Sequence, residues 1–138
     1  MEFVPVRMVG VVTAEVGTPR NDGSPGSSLY KIPIKIEPSP AHEWGRFFAE
    51  AFDHPSQYTS MHRPGIASVS GDRIVLDGTT MEELEKTQMA TLKLAVAQAN
   101  QEYIALLAAR RSMADKKRQD EEKHRREVEE AAKKIKFD

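Results

Sequence analysis

The chain is predicted to be an α+β protein: a small antiparallel β-sheet in ββαββα order, packed by a short aromatic helix and by a long C-terminal helix that projects from the domain. Three features of the sequence carry this expectation. Residues 29–37 and 66–77 alternate apolar and polar side chains, the period of a half-buried strand. Trp44, Phe47, Phe48, Ala51 and Phe52 repeat at i, i+3, i+4, i+7 and i+8, the stripe of an amphipathic helix. Neither proline nor glycine occurs after Gly78, so one helix can run to the end of the chain.

Taken in order, Phe3 to Val16 is β-rich. Val4, Val6 and Met8 alternate until Val9-Gly10-Val11-Val12 breaks the pattern, and Gly10 is read as the mark of a bulge. Gly17 to Ser28 is a long turn-rich connection, expected to be the most mobile segment. From Leu29 to Glu37, Ile32, Ile34 and Ile36 face one way and Lys31, Pro33 and Lys35 the other. Proline cannot donate a ladder hydrogen bond, so this strand is expected at a sheet edge or with Pro33 at its free side. Pro38-Ser39-Pro40 ends it, with Ser39 expected as N-cap of the aromatic helix and Pro40 at its first position. That helix should stop near His54, before Pro55. An irregular stretch over Pro55–Gly65 follows. Ile66 to Asp77 then reads as a hairpin turning at Ser70-Gly71-Asp72. Thr79 and Thr80 each have a glutamate three residues on, Glu82 and Glu83, so a capping box opens the last helix in either register.

At about 1.5 Å per residue the last helix would run roughly 85 Å, and it changes character on the way. The organisation expected is a globular domain over 1–109, including the apolar half of this helix, and a charged helical extension over 110–138. Nine Lys/Arg against thirteen Asp/Glu make the first part mildly acidic, and eleven against eight make the extension mildly basic. Neither imbalance names a partner class. Cysteine is absent, which excludes disulfides, zinc-thiolate sites and thiol nucleophiles. No run approaches the ~18 apolar residues of a membrane span. Glu2 and Pro5 sit where a secretion signal has bases and an apolar run, so a cytoplasmic location is expected.

In its apolar half the helix carries two stripes. Met89, Leu92, Val96, Ala99, Tyr103 and Leu106 form the first; Ala90, Leu94, Ala97, Gln101, Ile104 and Ala108 form the second. At 100° per residue they lie about 150° apart. One stripe suffices for packing on a sheet. The second, rich in alanine, needs the aromatic helix or another chain to cover it, and a homo-oligomer, a dimer above all, is the expectation. In the extension, acids interleave with bases: Glu121/Arg125, Glu122/Arg126, Glu129/Lys133 and Glu130/Lys134 are i,i+4 pairs in the favoured order. Interleaved acids would repel a phosphate backbone, so a solvated helix is preferred to a nucleic-acid arm. Val128, Ala131, Ala132 and Ile135 make a small apolar patch on which a protein partner could dock.

Chemical motifs are sparse. His54 and His62-Arg63, with Glu50 or Asp53, form an acid/base or metal cluster if the loop after the aromatic helix folds back. Arg7, Lys31 and Lys35 could line a phosphate-binding strip on the outer face of the sheet. No metal-ligand spacing, glycine-rich phosphate loop or nucleophile elbow is present, and no cofactor or metal is expected. The leading expectation is a non-enzymatic protein–protein interaction or assembly module. A nucleic-acid-associated module using Arg7, Lys31, Lys35 and the tail, and a small hydrolase or nuclease around Asp53, His54 and His62, are the alternatives.

Overall fold

The computed structural model describes residues 3–55 and 62–137, so the middle of the irregular stretch expected over Pro55–Gly65 lies outside the described residues. Two compact units are present, Met1–Tyr103 and Ile104–Asp138. The division falls at Tyr103, the last helical side chain packed against the core, where its ring meets Phe3 at 4.9 Å between centroids.

The first unit holds a four-stranded antiparallel sheet: β1 (Arg7–Val11), β2 (Tyr30–Glu37), β3 (Ala67–Ser70) and β4 (Arg73–Thr79), in the spatial order β1-β2-β4-β3. Alternation sets the faces. Ile32, Ile34 and Ile36 of β2 and Ile74 and Leu76 of β4 are fully or nearly fully buried on the inner face. Lys31, Lys35, Arg73 and Asp77 lie on the outer one. The register of β1 shifts between Met8 and Gly10, which leaves Val9 as the bulged residue, half exposed.

β2 is an interior strand, which corrects the expectation of an edge. Pro33 is accommodated because the chain beyond β1 leaves the ladder beside it. The Val12 N–H donates to the Pro33 carbonyl at 3.0 Å, and Gly17 N–H donates to the Lys31 carbonyl at 2.8 Å. Between these two bonds, Thr13–Glu15 bulge out as a 3-10 turn. The missing donor of Pro33 therefore faces the gap in the ladder, the free side that its ring requires.

The aromatic helix α1 (His42–Asp53) starts two residues later than Ser39 would set it. Its N-cap is Ala41, whose extended ψ of 160° opens the helix with no side-chain cap. Trp44, Phe48, Ala51 and Phe52 are buried, and Trp44 stacks on Phe48 at 5.6 Å. Gly45 allows close approach to the sheet: a Cβ there would lie 3.3 Å from Val69 Cβ on β3. Burial of each large aromatic contributes roughly 1.5–3 kcal/mol, which makes α1 the main weight on the inner face.

The β3–β4 hairpin turns at Gly71-Asp72, with Ser70 paired to Arg73. Gly71 has a φ of +59°, the left-handed conformation that a two-residue hairpin asks of its first turn residue. Thr80 caps the last helix, its Oγ1 accepting from Glu83 N–H at 3.1 Å, so the capping register is settled on Thr80. The helix begins as α2 (Met81–Glu83), widens into a π turn at Leu84–Gln88 and continues as α3 (Met89–Lys133).

In the second unit, every described residue from Ala108 onward is exposed except Asp115, which pairs with Arg118. Glu122 and Arg126 form one of the expected i,i+4 pairs at 2.7 Å. No helix among the described residues is long and apolar enough to cross a membrane.

Candidate functional site

The first unit uses one face of the C-terminal helix. Leu84, Gln88, Thr91, Leu92, Ala95, Val96 and Ala99 are buried there, and Tyr103 packs at the margin. The other face is bare. Ala90, Ala97 and Gln101 are exposed and Leu94 is 50% exposed, so α1 leaves the second stripe uncovered. The stripe is shallow around a single projecting leucine, since Ala90 and Ala97 flank it one turn to each side. In the second unit, Ile104 is 49% exposed and Ala108 is exposed. An isolated exposed leucine is ordinary for a soluble domain. Leucine set among alanines on a helix face is a surface into which another helix backbone can approach closely.

The outer sheet face carries the three cations singled out from the sequence, and carboxylates meet two of them. Arg7 pairs with Glu37 at 3.0 Å, and Lys35 pairs with Asp72. Arg73, directly opposite Lys35 in the register, is held by Asp72 at 2.7 Å and by Glu15 of the 3-10 turn at 3.2 Å. Two like charges facing one another across a ladder destabilise it, and the two carboxylates offset that here. The Lys35 amine, donating to Asp72, holds the Asp72 carboxyl below its ordinary value; partial burial opposes this and the Arg73 charge reinforces it. Lys31 is exposed and makes no ion pair among the described residues.

The Asp53, His54, His62 and Arg63 group is brought into one region, and Asp53 and Arg63 spend their side-chain polar atoms on structure. Asp53 Oδ1 accepts from Gly65 N–H at 2.8 Å, which ties Gly65 to the end of α1. His54 is the exposed C-cap of α1, its N–H donating to the Glu50 carbonyl. The His62 ring tilts against Phe52 at 5.2 Å. Arg63 makes a bidentate pair with Glu83, at 2.8 and 3.1 Å. Among the described residues no group of three or more metal-ligating side chains comes together. The terminal patch is open: Val128 and Ile135 are more than half exposed, and Ala131 and Ala132 are exposed.

Two polar clusters escaped the sequence reading. Asn100 Oδ1 accepts from the Val6 N–H and from the Trp44 indole N–H, and its Nδ2 donates to the Val6 carbonyl, each at 2.9 Å. One side-chain amide thus imitates a neighbouring strand for Val6 while satisfying a fully buried tryptophan. The second cluster surrounds the π turn. Thr79 Oγ1 donates to Gln88 Oε1 at 2.6 Å in the interior, and Gln88 Nε2 meets no acceptor among the described residues. π turns gather at functional sites; this one instead turns an amide inward under the sheet end.

No protein-family model, curated relative or solved structure significantly matches the chain.

Proposed function

We propose that this protein is a non-enzymatic assembly module that self-associates through the exposed second stripe of α3, its charged extension serving as a spacer or docking arm. The observation that carries the reading is the pairing of a fully used helix face with a bare one: Leu92, Val96 and Ala99 are buried, whereas Leu94 stands half exposed between Ala90 and Ala97. A second copy is the preferred occupant because the face is self-complementary. Leu94 of one helix fits the gaps left by the alanines of another, in the manner of knobs and holes. The charges beside it, Lys93 and Glu102, are of opposite sign, so the face does not select a strongly charged foreign partner. Val128, Ala131, Ala132 and Ile135 are the docking patch of the extension. The absence of cysteine fits a reducing compartment such as the cytoplasm.

The test is mass in solution, for the full chain beside a version ending at Ala109. A dimer mass in both, reduced to the monomer by Leu94→Glu, is the expected result. A strict monomer that Leu94→Glu leaves unchanged removes the reading. Association retained at Ala109 but insensitive to Leu94→Glu moves the contact to another face.

A further inference from the structure

The far side of the sheet offers a second surface, independent of the α3 face. β3 is the last strand in the spatial order, paired on one side only. Its ladder with β4 runs through Ser70 opposite Arg73 and Ser68 opposite Val75, and the Ile66 carbonyl accepts from Asp77 N–H at 2.9 Å. Backbone direction alternates along a strand, so Ile66, Ser68 and Ser70 point their N–H and C=O groups at β4. Ala67 and Val69 point theirs away, and among the described residues no backbone group meets them. Two donors and two acceptors, two residues apart, are the half-ladder that an added strand completes.

Beside this edge lies an open groove of about 420 Å³ between α1 and β3, lined in part by His42, Gly45, Arg46, Ala49, Ser68 and Val69. Gly45 and Ala49 keep the helix wall low, so an extended backbone can lie against it. The groove has a sign. Its titratable lining groups among the described residues are His42 and Arg46, and no described carboxylate lines it. Arg46 is exposed and makes no ion pair among the described residues.

We propose that the α1–β3 groove binds an extended peptide segment with acidic side chains, which adds to β3 as a fifth strand. The hydrogen-bonding requirement of Ala67 and Val69 specifies an extended backbone. The Arg46 guanidinium specifies an acid at a position facing it, and side chains on one face of a strand recur every second residue. A second copy of β3 is the poorer occupant: two-fold pairing would bring Arg46 of both copies to one seam, where like charges oppose association.

The experiment is selection of a random peptide library displayed on phage against the full-length protein. A selected synthetic peptide is then titrated while backbone amide shifts are followed by NMR. Enriched peptides should carry an acidic residue, and the shifts should centre on Ala67, Val69 and the first turns of α1. Arg46→Glu, an exposed change that leaves the fold intact, should weaken binding at least about tenfold, the size of one charge-assisted contact. Val69→Pro removes the outward donor without touching a bond to β4 and should abolish it. Failure to enrich any peptide, enrichment without acids, binding indifferent to Arg46→Glu, or shifts centred on Leu94 and Ala97 would each overturn the proposal. So would a dimer mass that Val69→Pro lowers and Leu94→Glu does not, which would assign the edge to a second copy.

Discussion

Replacing Asn100 by alanine should cost far more than an exposed helix position ordinarily does. The substitution strips partners from three groups at once: the Val6 N–H, the Val6 carbonyl and the Trp44 indole N–H, each 2.9 Å from the amide. Val6 is 2% exposed and Trp44 is fully buried. A buried polar group left without a partner costs about 1–3 kcal/mol. Asn100 itself is half buried, so water can reach part of the vacated site, and the low end of that range applies to each group. The expected loss is about 3 kcal/mol. With an m-value of about 1.5 kcal/mol/M in urea, the unfolding midpoint falls by about 2 M. Trp44, the only tryptophan, reports the change directly, and helix circular dichroism gives an independent transition. Asn100→Leu fills the volume and loses the same hydrogen bonds, so it should be destabilised comparably. Gln98→Ala, on the exposed side of the same turn, should stay within about 0.5 kcal/mol of the parent. All four proteins are compared at one concentration, because association contributes to apparent stability. A loss below about 0.5 kcal/mol for Asn100→Ala, with Trp44 emission unchanged, would refute the clamp.

Other outcomes follow from particular contacts. Gly45→Val should cost about 1–3 kcal/mol by pressing on Val69, and Val69→Ala in the same chain should recover part of it, a coupling read from a double-mutant cycle in urea. Thr79→Val should destabilise by about 1–3 kcal/mol, because it leaves the Gln88 amide wholly unpartnered in the interior. Thr79→Val with Gln88→Met replaces both polar groups and should return stability to within about 1 kcal/mol of the parent; failure of that rescue in thermal melts would show that the amide has another role. Asp72 has a depressed folded-state pKa, so its contribution is complete above the ordinary value of 3.8 and is lost as pH falls below it toward the folded value. Asp72→Asn should flatten the stability–pH profile in that acid window, and an unchanged slope in melts between pH 2.5 and 5 would contradict the Lys35–Asp72 pair.

Elements whose burial is one-sided were legible from the sequence. Ile32, Ile34 and Ile36 announce a strand because alternate residues meet opposite environments, and Trp44, Phe48 and Phe52 announce a helix because every turn returns to the core. Features decided by long-range partners were not. Pro33 left an edge strand and a free side equally open, since nothing local reveals that Thr13–Glu15 swing away opposite it. Lys31, Lys35 and Arg7 suggested a basic strip, yet Asp72 read only as a turn residue and Glu15 and Glu37 only as ends of elements. Their carboxylates reach the cations through the register. Asn100 carried one available signal: it falls four residues after Val96 on the buried side, where a polar residue requires a partner. The π turn at Leu84–Gln88 had no counterpart in composition or spacing.

The Asn100 amide also bears on the order in which the protein assembles. Its bonds to Val6 close a loop spanning almost the whole first unit, and loop closure must be met before such a contact returns any energy. The β3–β4 hairpin, joined by two residues, has no comparable requirement. A growing chain emerging from the ribosome would hold Val6 without its helix partner until Asn100 had been made. β1 can pair with β2 before that, but Val6 and the residues ahead of β1 are locked only once Asn100 is in place.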